Sequence, residues 1–157
     1  MPSLHRELRV PFDTTYLSEI RQAVLDVLGE APFPQVKANM IALAVDEAVA
    51  NIMEHAFETD CDERENSQID VILDANAERF EVLIRDNGIS FDPRIAPDVD
   101  IKEHVKAGRK GGLGIFLMRR IMDEVNYSFK QGVQNELQMI KYVDANNRAV
   151  TKSKAVG

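Results

Sequence analysis

From Met40 to Met53 every side chain is apolar except three: Asp46, Glu47 and Asn51. The segment is rich in Ala, and no Gly or Pro interrupts the chain from Gln35 to Phe57, which predicts one long helix. Apolar residues fall on most of its circumference, so the rest of the chain has to be built around a largely buried helix. Four residues advance a helix by about 6 Å and turn it only about 40° past a full circle, which leaves Glu47 and Asn51 on one face with His55 a step further. A carboxylate and a carboxamide in that setting need partners, because an unanswered buried carboxylate is strongly disfavoured. A divalent metal with a phosphate, or a water awaiting deprotonation, satisfies both. Two plainer readings compete: acids favouring the dipole in a helix's first turn, or an internal hydrogen-bond network. His55 reads equally well as a packed core histidine.

With 157 residues the chain can bury one core and is too short for two ordinary domains. A single domain over residues 1–144 is expected, followed by a polar tail, 145–157. No apolar run approaches the roughly 20 residues of a membrane span, and Met1 to Val10 lacks the apolar centre of a signal peptide. The expected compartment is the cytoplasm, with no membrane partner. Cys61 is the only cysteine, so no internal disulfide is possible, and no Cys/His cluster has structural zinc spacing.

A net charge of −7 argues against nucleic acid as a direct partner. The charge is uneven, however. Between Ile101 and Arg120 six basic residues stand against one acid, Glu103. A small polyanion suits such a stretch, although a solvated loop and helix face explain part of it. Glu54 to Glu65, with six acids and Arg64, reads as an acidic loop.

The order of elements follows from periodicity. A short strand is expected at Glu7–Val10, a helix at Tyr16–Leu28 behind the cap Asp13-Thr14-Thr15, and the long helix at Gln35–Phe57. Ile69-Val71-Leu73 and Phe80-Val82-Ile84 alternate with period two and form an antiparallel hairpin. A long segment from Asp86 to Gly112, of the kind that makes a binding loop or lid, leads to a helix at Leu113–Met122 that offers Ile115, Phe116, Leu117 and Ile121 to the core. Val125-Tyr127-Phe129 and Leu137 to Tyr142 make the last hairpin, turning at Gln131-Gly132. This is not a strict βα alternation, so the fold class is α+β: a two-layer sandwich whose mixed, mostly antiparallel sheet is covered on one face by helices.

Gly111-Gly112-Leu113-Gly114 opens the last helix, where glycines let backbone amides approach an anion. Packing alone also accounts for such a start. Asp86-Asn87-Gly88 ends a strand, where an aspartate can accept from an exocyclic amine and a glycine lets a flat base lie close; by itself the tripeptide is also an ordinary turn. In order, the three pieces resemble the ATP-binding motifs of the GHKL superfamily, the Bergerat-fold ATPases. Over essentially the whole chain the resemblance is to the superfamily's free-standing branch, the anti-sigma factor serine/threonine protein kinases. The acidic-x-x-x-Asn box is matched by Glu47 and Asn51. The aspartate-glycine box is matched by Asp86 to Pro93, and the second glycine box by Gly111 to Met118. Ser90 stands where the wider superfamily has a second glycine, a variation common in the free-standing branch.

The resemblance implies ATP and Mg²⁺ as cofactors, with Asn51 coordinating the metal and Asp86 recognising the adenine amino group. Gly88 would line the base pocket, Gly112, Leu113 and Gly114 would make room for phosphates, and Glu47 would be the general base. Lys106, Arg109 and Lys110 fall in the lid and are candidates to meet the γ-phosphate. The family's activity implies phosphorylation of a serine or threonine on an anti-sigma factor antagonist, sequestration of a sigma factor, and a homodimer. Gyrase-like relatives and histidine kinases need further domains that do not fit in this length. A non-catalytic ATP-binding switch, or a module serving a partner other than a sigma factor, is the alternative.

Overall fold

The computed structural model describes residues 2–55, 67–87, 111–130 and 134–144. Strand β1 (Leu4–Pro11) leads through a short 3-10 turn (Thr14–Tyr16) into helix α1 (Leu17–Gly29) and helix α2 (Gln35–His55). Strands β2 (Gln68–Ala75) and β3 (Arg79–Asp86) follow, then helix α3 (Gly111–Ile121) and strands β4 (Glu124–Lys130) and β5 (Gln134–Tyr142). The five strands form one sheet in the order β1-β2-β3-β5-β4, and every pair is antiparallel. The expected two-layer α+β sandwich is met, with no parallel pair among the described strands.

Local chemistry sets the boundaries. Asp13 caps the turn before α1, its carboxylate accepting from the Thr15 amide at 2.9 Å and the Thr15 hydroxyl at 2.8 Å. In α1 the residues Ile20, Ala23, Val24, Val27 and Leu28 recur at helical spacing and are all buried. Pro34 stands before α2, and its carbonyl accepts from the Ala38 amide at 2.9 Å. Asn76 folds the β2–β3 turn by accepting from the amides of Glu78 (2.8 Å) and Arg79 (3.0 Å). β1 is longer than the expected Glu7–Val10, because charged residues such as Arg6 and Glu7 hide its alternation although every residue from Leu4 to Pro11 pairs with β2.

The strand period of two divides the sheet into unlike faces. One face sends Val10, Ile69, Val71, Leu73, Phe80, Val82, Ile84, Leu137 and Met139 into a single core with the helices. The other carries paired charges: Arg9 with Asp70 at 2.7 Å, Arg85 with Glu136 at 2.7 Å, and Arg79 with Glu81 at 3.6 Å. Helix α2 packs between α1 and α3. Helix α3 begins at Gly111 rather than Leu113, so its glycines form the first turn itself. Met118 of α3 is deeply buried, whereas Phe116 is only half-buried and lies under the Arg120 guanidinium, 5.1 Å from its ring centre.

The last two positions of the helix expected at Gln35–Phe57, the expected acidic loop with Cys61, the expected turn at Gln131-Gly132 and the tail 145–157 lie outside the described residues.

Candidate functional site

The polar side chains of α2 sit well inside the helix, about three turns from its start at Gln35. A first-turn, dipole-favouring role for Asp46 and Glu47 is therefore excluded. The two acids separate by direction. Asp46 points toward α1 and is held by Arg21, whose Nη2 donates to both its carboxylate oxygens at 3.1 Å. Glu47, one residue later, faces elsewhere and is half-buried. Burial pushes the Glu47 carboxyl up from its ordinary value, and the like charges of Asp46 and Glu54 push it the same way. A carboxylate tuned upward in this way binds a proton more readily, which suits a general base.

Asn51, one turn further along the same face, retains only 5 % exposure. Its side-chain nitrogen is buried without a hydrogen-bond partner among the described residues. Such a group costs roughly 1–3 kcal/mol of desolvation unless something answers it. The two ends of an amide exchange by a half-turn of the side chain, so this position can present either its donor or its acceptor. The internal hydrogen-bond network considered from sequence therefore does not account for Asn51. No group of three or more acidic, Cys or His side chains could by itself hold a metal among the described residues. A magnesium ion fits such a place through a single amide oxygen, because it takes few protein oxygens and completes its shell with phosphate and water.

Asp86 is the last residue of β3 and points to the helix-covered side, where it is buried. Its register partner on β5 is Asn135, 3 % exposed, whose Nδ2 donates to Asp86 Oδ1 at 3.1 Å. The bond fixes the carboxylate's orientation at the end of the sheet. Beside it Ser67, Asn87 and Gln134 line a recess of about 300 Å³ that reaches round to the sheet's charged face. Asn135 was not singled out in the sequence. Its signal is the alternation of β5, which puts Asn135 in line with Leu137 and Met139 on the inner face, where an amide needs a reason to be.

Gly112, Leu113 and Gly114 lie in the first turn of α3, the helix packed along α2. Gly88 and the basic residues Lys106, Arg109 and Lys110 lie outside the described residues. The described candidate residues belong to three elements: α2 carries Glu47 and Asn51, β3 ends in Asp86, and the glycine-rich turn opens α3, which packs against α2.

The all-antiparallel sheet packed against helices agrees with an ATPase domain of the histidine-kinase type. The model of the histidine kinase-like ATPase domain matches residues 10–141, and the chain belongs to that family. Within it the chain is similar to proteins named serine-protein kinase RsbW. The Staphylococcus aureus protein is 32% identical over 145 residues, covering 87% of this chain and 86% of its own. That of Listeria monocytogenes is 31% identical over 151 residues, 92% of each chain. That of Bacillus cereus is 28% identical over 142 residues, 87% of this chain and 84% of its own.

Proposed function

We propose that this chain is an ATP-dependent serine-protein kinase that phosphorylates an anti-sigma factor antagonist and, in the alternate partner state, holds a sigma factor. The observation that carries the reading is the pairing on α2 of a carboxylate with a raised pKa, Glu47, and a buried amide with an unanswered end, Asn51, one turn apart. Family membership and the similarity to serine-protein kinases support the same chemistry.

In this reading Glu47 accepts the proton of the substrate serine. The serine oxygen then bonds to the γ-phosphorus as the bond from that phosphorus to the ADP oxygen breaks, and ADP leaves with the electron pair. Phosphoryl transfer needs positioning and charge neutralisation more than covalent help, which matches a site built from one base and several binding groups. Asp86, oriented by Asn135, accepts from the adenine amino group, while Gly88 lines the base and Gly112, Leu113 and Gly114 give room to the phosphates. Asn51 would hold Mg²⁺ through its side-chain oxygen, and the ion would supply neutralisation of phosphate charge when bound. Lys106, Arg109 and Lys110 are assigned to the γ-phosphate side. In this reading the protein acts as a homodimer in the cytoplasm. No described helix is long and apolar enough to cross a membrane.

Glu47→Ala tests the assignment. Transfer from labelled ATP to the acceptor protein is expected to fall by about 10² to 10⁴-fold, the range of a lost general base, with ATP affinity retained. Phosphorylation surviving at near wild-type rate contradicts the role of Glu47, and a wild-type protein that binds ATP without labelling any acceptor contradicts the kinase reading in favour of a non-catalytic switch.

A further inference from the structure

The first half of α2 is the reverse of what its composition predicts. Val36, Met40 and Leu43 are 71 %, 46 % and 42 % exposed, and they make up three of the four large hydrophobic side chains exposed among the described residues. Their spacing is i, i+4 and i+7, and the next member of the same stripe, at i+11, is Glu47. An apolar line about 10 Å long therefore runs along the outside of the helix toward the base, with Leu43 about 6 Å along the axis from Glu47. The opposite face of this half, with Ile41, Ala42, Ala44 and Val45, already fills the core, so fold stability does not require the stripe to be apolar.

We propose that Val36, Met40 and Leu43 form the docking surface for the phosphoacceptor protein, which meets them with an apolar patch of its own beside the acceptor serine. The inference rests on the kinase reading above. A protein whose serine hydroxyl reaches Glu47 has to lie over the neighbouring turns of the same helix, and the large apolar side chains offered there are these three, beside the exposed polar Gln35, Lys37 and Asn39. Their chemistry specifies the partner: an uncharged apolar surface, since a charged one would be desolvated against Met and Leu without compensation. Size points the same way. The stripe exposes on the order of 300 Å², well short of the roughly 800 Å² that each partner contributes to a stable interface, and suits a contact that forms and releases at each turnover. A permanent second copy of the chain would need far more.

The test uses the full-length protein and the acceptor defined as the protein that the wild type labels on serine with radioactive ATP, purified for steady-state kinetics. In the double variant Met40→Lys/Leu43→Lys the KM for that acceptor is expected to rise about tenfold or more, the size of losing a hot-spot contact. The kcat at saturating acceptor and the affinity for ATP should stay at wild-type values, and Val36→Arg should show a smaller shift of the same kind. Retained ATP affinity reports that the variants fold. An unchanged KM in both variants overturns the docking surface while leaving the kinase reading intact. If the wild type labels no protein, the kinase reading falls and the docking surface falls with it. If the wild type sediments as a dimer that Met40→Lys/Leu43→Lys dissociates, the stripe is a self-association surface and the proposal is wrong.

Discussion

Two buried polar side chains, Asp86 at the end of β3 and Asn51 on α2, are treated in opposite ways by the fold. Asp86 is answered from within: Asn135 stands opposite it in register and donates to its carboxylate. Asn51 is equally enclosed, yet its side-chain nitrogen meets no partner among the described residues. In the proposed nucleotide site the contrast would separate two kinds of binding group. The Asp86 end would be preorganised, its carboxylate aimed before any ligand arrives, which lowers the cost of ordering it on binding. The Asn51 end would be left incomplete at a cost to the free protein that a ligand filling the place recovers.

The comparison can be broken most forcefully at the preorganised end. Asp86→Asn exchanges an acceptor for an amide of nearly the same shape, and a charge-assisted bond worth roughly 1.5–3 kcal/mol would be lost from the adenine. ATP affinity measured by calorimetry is expected to drop by about ten- to a hundredfold, with little change in melting temperature. Unaltered affinity would remove Asp86 from the nucleotide site.

Stability measurements sharpen the contrast. Asn135→Ala takes away a partner and leaves part of a buried carboxylate unanswered, so unfolding in urea should show a loss of about 1–3 kcal/mol. Asn51→Ala removes a group whose nitrogen is already unanswered, and the loss is expected to stay below about 1 kcal/mol despite the small void. Equal losses at the two positions would erase the distinction between a satisfied and an unsatisfied site.

The smallest expected effect concerns Glu47. Its folded-state pKa is raised, so the folded protein binds that proton more tightly than the unfolded chain does. The resulting stability is fully present below the ordinary carboxylate value of 4.5 and is lost as pH rises through the raised value. Glu47→Gln, which cannot ionise, should therefore melt slightly higher than wild type at neutral pH, with the gain vanishing below about pH 4. A gain that persists in acid would place its origin elsewhere. The same raised pKa puts the acid limb of the wild-type transfer rate above the ordinary glutamate range.

The sequence carried the fold well wherever periodicity was clean. The strands around Val71, Val82 and Met139 and the stripe of α1 have one apolar face each, and their elements lie where the pattern puts them. Legibility failed where a face is defined by a neighbour rather than by the segment itself. The apolar run of α2 reads as buried over most of its circumference, but α1 and α3 flank only part of it and leave Val36, Met40 and Leu43 outside. Phe116 looks like a core residue and instead lies under Arg120. Among the candidate residues, Glu47 and Asn51 stand out in the sequence because a polar residue in an apolar helix asks for a partner, and Asp86 because it ends a strand directly before Asn87-Gly88. Asn135 was not, because its meaning comes from a strand partner 49 positions away. The separation of Asp46 from Glu47 likewise depends on Arg21 reaching across from α1.

The incompleteness of the α2 end is tested most directly by the magnesium dependence of ATP binding, read as thermal protection with ATP alone and with ATP plus Mg²⁺. In the wild type Mg²⁺ should add clearly to the protection, whereas in Asn51→Ala protection by ATP should be much the same with or without the ion. The same added protection in both proteins would contradict the claim that Asn51 is kept unpartnered for a metal-bound nucleotide.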